Sequence, residues 1–293
     1  MFIHLLLAAL ILLTNSCEKK ENFNPGKPIV LVSVPPYIDF VKKIAQDTVT
    51  VQSLIPAGAN PHVYEAAPKE VQSHQNAAIW VRLGESFDKK VYQFFKQLNK
   101  PVRIVDVAQG IELLSICDDH GHVTDEVHCH SHDEGKDLHI WLSPKLAKLQ
   151  AEKIAEALIA LLPEQKEFFS ANLQKFLTEL DDVDQQITSL LAPMEGKAIL
   201  VSHPAFGYFC QDYHLVQLSI EMEGKEPLPQ HVTEILSLAK QYAIQAVIVE
   251  PQYSNKGAEL IAKRLGLPTH SVDPYAENYL ENLLAIAQVI SHG

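Results

Sequence analysis

Between Asp118 and Asp133 five histidines fall within thirteen positions: His120, His122, His128, His130 and His132. Cys129 lies among them, with Asp118, Asp119, Asp125, Glu126, Asp133 and Glu134 interspersed. Imidazole, thiolate and carboxylate are the ligands that zinc accepts. No apolar periodicity runs through residues 118–134, so the stretch is expected to be a loop rather than a helix or strand. A lone histidine there would be read as solvated and idle; five point to metal contact. The open question is whether this loop is the site or an accessory to it.

Four more candidates lie far apart, each at or near the end of an expected element. His62 sits in Pro56-Ala57-Gly58-Ala59-Asn60-Pro61-His62-Val63-Tyr64-Glu65, and His139 in Asp137-Leu138-His139-Ile140-Trp141-Leu142-Ser143-Pro144. His203 sits in Val201-Ser202-His203-Pro204-Ala205-Phe206, and Asp273 in Ser271-Val272-Asp273-Pro274-Tyr275. Taken singly, each histidine is more often a core or surface residue than a ligand. Scattered this widely, the four make no local motif.

The elements that must position them alternate. Short apolar, β-branched runs read as strands at Ile29–Val34, Val49–Ile55, Ala78–Leu83 and Val102–Val107. Helical patterns lie between the first three, Phe87 to Leu98 is amphipathic, and Leu146 to Leu162 is a strong helix. From Phe169 the apolar positions run Phe169, Leu173, Phe176, Leu180, Val183, Ile187 and Leu190, a sustained helical stripe bounded by Pro163 and Pro193. A helix over Glu164 to Leu191 would be about 42 Å long. A coiled-coil dimer is the alternative, but the segment lies mid-chain, so it is read as a rigid connector. The α/β pattern then restarts, with strands at Ala198–Ser202, Val216–Ile220, Ala246–Glu250 and Pro268–Val272 and a closing helix over Asn278–Ser291. This predicts an α/β fold of two lobes, each a parallel sheet flanked by helices, joined by one long backbone-spanning helix. The expected boundaries are 28–162 and 194–293 for the lobes and 163–193 for the connector. Open parallel sheets place ligands outside the carboxyl ends of their strands, so two facing sheets would bring the four scattered residues to the crevice between them.

The chain has 293 residues, 47% of them hydrophobic, enough to bury a large core. Lys plus Arg number 24 and Asp plus Glu 36, a formal charge of -12, which argues against nucleic-acid binding by phosphate neutralisation. Residues 1–17 lack Asp, Glu, Lys and Arg, and Leu5 to Leu13 is an apolar run too short to span a bilayer. That pattern fits a secretory signal, and Leu13-Thr14-Asn15-Ser16-Cys17 loosely matches a lipoprotein processing site. Export is therefore expected, with a lipid anchor on Cys17, a tether over 18–27 and a periplasmic or extracytoplasmic location. A cleaved signal and a soluble product is the alternative. In an oxidising compartment Cys117 and Cys129 would be free to close the histidine loop as a disulfide, or Cys129 to stay a metal-binding thiol.

Taken together, Gly-Ala-Asn-Pro-His-Val-Tyr-Glu, Asp-Leu-His-Ile-Trp-Leu-Ser-Pro, Val-Ser-His-Pro-Ala-Phe-Gly-Tyr-Phe, Glu-Gly-Lys-Glu-Pro (223–227) and Val-Asp-Pro-Tyr, in this order, resemble the cluster A-I solute-binding proteins. These are the metal receptors of zinc or manganese ABC importers. The resemblance runs from about Pro28 to the C-terminus. It implies metal in the cleft between the lobes, held by His62 and His139 from the first lobe and His203 and Asp273 from the second. It also implies partners: a membrane permease with its cytoplasmic ATPase, served by a monomeric receptor. Manganese-type members commonly carry a carboxylate where His203 stands. Three imidazoles and one carboxylate suit Zn2+ better, and a His-rich acidic insertion before the second ligand is typical of zinc-type members. Pro204 departs from the pattern, which often has Asp there, and a water or neighbouring Glu replaces the Asp273 carboxylate in some zinc-type members. The histidine loop is then expected to be an accessory, low-affinity collector. A manganese or iron receptor is the nearest alternative. A zinc-dependent hydrolase, with Glu65 as base, belongs to a different class and lacks any H-E-x-x-H spacing.

Overall fold

A computed structural model describes residues 26–98, 102–115, 135–221 and 228–292. Cys17, the five loop histidines, Cys117, Cys129 and the 223–227 motif lie outside the described residues.

The first half runs β1 (Ile29–Val32), α1 (Pro36–Ala45), β2 (Thr50–Ser53), α2 (Pro68–Ser73), β3 (Ala77–Arg82), α3 (Ser86–Lys96) and β4 (Arg103–Asp106). Two long helices follow, α4 (Pro144–Leu161) and α5 (Lys166–Leu191). The second half runs β5 (Ala198–Val201), α6 (Gly207–Asp212), β6 (Val216–Ser219), α7 (Pro229–Gln241), β7 (Val247–Val249), α8 (Lys256–Leu265), β8 (Thr269–Ser271) and α9 (Tyr279–His292).

Each half builds a four-stranded sheet, in the orders β2-β1-β3-β4 and β6-β5-β7-β8, and every strand pairing is parallel. All eight strands expected from the apolar runs are present. In each sheet the order reverses at the first strand, so the loops leaving β1 and β3, and those leaving β5 and β7, diverge over a crevice. Ligands bind at such switch points in open α/β sheets.

The local chemistry explains the long helices. Ser143 caps α4, its hydroxyl accepting from the Leu146 amide at 3.1 Å, and Pro144 occupies the first turn where no amide hydrogen is needed. Helix α5 is 26 residues long, bracketed by 3-10 turns at Pro163–Gln165 and Ala192–Met194. It buries Phe169, Phe176, Leu180, Val183, Ile187 and Leu191 along one stripe and packs against α4, α9 and α1. At about 1.5 Å per residue it reaches about 39 Å.

The core is unevenly divided. The larger cluster takes in both faces of the first sheet, α1, α4, α5 and α9, and continues into the second sheet through Ile199, Val201 and Ile248. A smaller cluster holds Ala198, Leu200, Leu218 and Val247 against Val232, Ile235, Ile261 and Ala262. Strand β5 alternates between the two, as a strand buried on both faces must. Among the described residues no helix is long and apolar enough to cross a membrane.

Candidate metal centre

His62, His139 and His203 come together although 141 positions separate the first from the last; each offers a ligand atom, and these atoms lie within 4.8 Å of one another. The ring centroids are 5.7 Å apart for His62 and His139, 5.3 Å for His139 and His203, and 4.9 Å for His62 and His203.

His203 follows β5 at the second switch point. Its Nδ1 lies 2.8 Å from Glu221 Oε2, just past β6. Its Nε2 is buried and has no hydrogen-bond partner, and a ring of Tyr253 stacks on it at 4.0 Å and 12°. The backbone beneath is fixed by Glu250, at the carboxyl end of β7, which accepts from the His203 amide at 3.1 Å and from the Ser202 hydroxyl. Burial pushes the Glu250 carboxyl up to about 8, against the opposing pull of those two donors.

His139 sits just ahead of α4. Asp137 Oδ1 accepts from its amide at 2.9 Å and lies 2.7 Å from its Nδ1. Trp141, two residues on, donates to the Pro274 carbonyl at 2.8 Å, and Tyr279 donates to the Trp141 carbonyl. Asp137 is itself held from the second half: Tyr208 donates to its carbonyl at 2.7 Å. Gly207 packs so closely that an added Cβ would stand 2.8 Å from Asp137 Oδ2.

His62 is different. It lies on an exposed turn after β2, where Asn60 Oδ1 accepts from its amide at 2.9 Å. Among the described residues no side chain hydrogen-bonds its ring. Although the residue as a whole is exposed, its ring packs against His139, His203 and Tyr253, and desolvation there, then the neighbouring His139, lowers its pKa to about 4. His203 is driven well below the ordinary 6.5, by burial first and by His139 and His62 next. His62 and His203 are therefore neutral near pH 7, the form that binds metal.

The donor set fits zinc. Tetrahedral zinc holds imidazole nitrogens at about 2.0–2.1 Å, which puts them about 3.3 Å apart, so a small inward shift of the rings suffices. Carboxylates behind two of the rings follow the carboxylate–histidine–metal pattern.

Asp273 follows β8 as expected, but it is not among the clustered groups. Its Oδ1 accepts from Gln252 at 2.6 Å and from the Tyr275 amide at 2.8 Å, which shapes the turn carrying Tyr275. The Tyr275 hydroxyl lies 2.9 Å from His139 Nε2. Glu65 is exposed and paired with Lys90 at 2.7 Å, which lowers its pKa and makes it a poor general base. A cavity of about 220 Å³ opens beside the centre, lined by Val63, Tyr64, Phe87 and Val91, and shares only His62 with it.

The family model described as "Zinc-uptake complex component A periplasmic" matches residues 30–293. The chain belongs to this ZnuA family. A Chlamydia muridarum protein described as metal-binding is 31% identical over 264 residues, covering 90% of each chain. The high-affinity zinc uptake system protein ZnuA of Yersinia pestis is 28% identical, over 92% of this chain and 88% of that one. A crystal structure of ZnuA superposes with a TM-score of 0.82 at 34% identity, covering 91% of this chain and 99% of that one. Members of the ZnuA family are periplasmic, substrate-binding components of metal transport, not enzymes.

Sequence reasoning missed the groups that pack on and hold these histidines. Asp137 had a signal, a carboxylate two residues before a candidate histidine. Glu221, Tyr253 and Glu250 had none, because only the sheet order brings them to His203.

Proposed function

We propose that this chain is an extracytoplasmic receptor that captures Zn2+ on His62, His139 and His203 and hands it to the permease of an ABC importer. The observation that carries this reading is the cluster itself: three imidazoles converge, two of them buried and each backed by a carboxylate. Nitrogen-rich ligation favours zinc over manganese, which prefers carboxylate and water oxygens. Asp273 fits this reading better as the residue that shapes the Tyr275 turn than as a direct ligand. Export with a lipid anchor on Cys17, and loose zinc collection by the five loop histidines, belong to the same reading.

The lobes 28–162 and 194–293 would move little. The larger core is one cluster that takes in residues of both sheets, α5 and α9, and close-packed interiors resist wide opening. Uptake and release then fall to the exposed turn that bears His62.

The test is elemental analysis of protein purified without added metal, followed by titration calorimetry on the full chain and on a variant lacking residues 119–133. One tight zinc in both is expected. Manganese in the tight site would overturn the zinc assignment, and loss of the tight site on deletion would move it to the loop.

A further inference from the structure

The two buried histidines present their metal-facing nitrogens differently. His203 Nε2 has no partner, whereas His139 Nε2 lies 2.9 Å from the Tyr275 hydroxyl. The direction of that bond follows from its neighbours. Metal binding requires the uncharged tautomer, and a carboxylate accepts only, so in that tautomer the His139 hydrogen sits on Nδ1, facing Asp137 Oδ1 at 2.7 Å. Nε2 then has a lone pair and no hydrogen, and Tyr275 must donate to it. The Tyr275 oxygen is in turn 3.2 Å from the Tyr253 hydroxyl, placed to accept from it. Tyr253 is the ring stacked on His203 at 4.0 Å.

We infer that Tyr275 is a built-in competitor for the cargo: in the empty receptor its hydroxyl fills the lone pair of His139 that zinc must take. The inference rests on the zinc-receptor reading for the identity of the incoming ion. A protonated phenol lies outside zinc's usual ligand set, so Tyr275 is a positioning residue and not a ligand. It keeps His139 turned toward the cleft and spares a buried nitrogen from going unpaired. When zinc arrives this hydrogen bond breaks; when zinc leaves it re-forms. Affinity is thereby reduced and release is made easier, which suits a protein that must give its cargo away. Asp273 acts one step further back, since its carboxylate fixes the Tyr275 amide at 2.8 Å.

The test is Tyr275→Phe in the full chain. The ring contacts with Trp141 at 5.2 Å and His139 at 6.0 Å are available to phenylalanine, so the fold is retained. One competing hydrogen bond corresponds to about three- to tenfold in binding. Tyr275→Phe should hold zinc tighter by about that factor, with slower transfer to a fluorescent chelator. Unchanged or weaker zinc binding by Tyr275→Phe overturns the inference. A second readout needs no metal: the 15N resonance of His139 Nε2 in the metal-free protein should move in Tyr275→Phe, because the hydroxyl 2.9 Å from it is lost. A wild-type chain that takes up no zinc would defeat the receptor reading, while a His139 resonance indifferent to Tyr275→Phe would defeat this one.

Discussion

The floor and the rim of the centre are built to different standards. On the floor, His139 and His203 are buried and their rings are held by Asp137 and Glu221. On the rim, His62 is exposed, and only its backbone is tethered, to Asn60. The two buried rings are oriented by hydrogen bonds to carboxylates, whereas the described residues give the His62 ring none.

The largest expected effect breaks the floor. His203→Ala should abolish the tight site in calorimetry, and retention of near-wild-type affinity would exclude His203 as a ligand. Next comes the support beneath: Asp137→Ala leaves all three imidazoles but frees the His139 ring, and zinc affinity should fall about 10- to 100-fold. A smaller loss, about tenfold or less, is expected for Gly207→Ala, whose new Cβ crowds Asp137 Oδ2 from 2.8 Å. Wild-type affinity there would show that the Asp137 carboxylate can shift without cost.

The smallest effect belongs to the rim and is read in the metal-free protein. His62 titrates at about 4 in the folded chain, against 6.5 ordinarily. The unfolded chain therefore takes up the proton first. His62's contribution to stability is complete above about 6.5 and is lost as pH falls from there through about 4. Thermal midpoints should decline across that window, and His62→Gln should flatten part of the decline. Equal slopes for the two proteins would mean that His62 is not desolvated.

How much of this was legible in the sequence follows from distance along the chain. The eight strands were readable because each is a compact apolar run, and α5 because its stripe of Phe169 to Leu190 keeps one period throughout. The three histidines stood out only through the short motifs around them and the resemblance those motifs carry. Their support was less visible. Asp137 is two residues from its histidine, whereas Glu221 and Glu250 reach His203 only because β6 and β7 flank β5. Asp273 adds something the sequence did not show: its place after a strand suits a ligand, and its Oδ1 also accepts from Gln252 and the Tyr275 amide. Sequence position sets which strand end a residue occupies; hydrogen bonding decides which way its oxygen is used.

The unequal core has a consequence for how the molecule unfolds. Because the larger cluster takes in residues of both sheets together with α5 and α9, most of the chain should melt as one cooperative unit. The smaller cluster, on the opposite face of the second sheet with α7 and α8, is the piece best placed to open alone. Amide hydrogen exchange would then report two tiers of protection. A cation bound across the cleft would raise the upper tier in both halves at once, and the α7–α8 face would keep breathing.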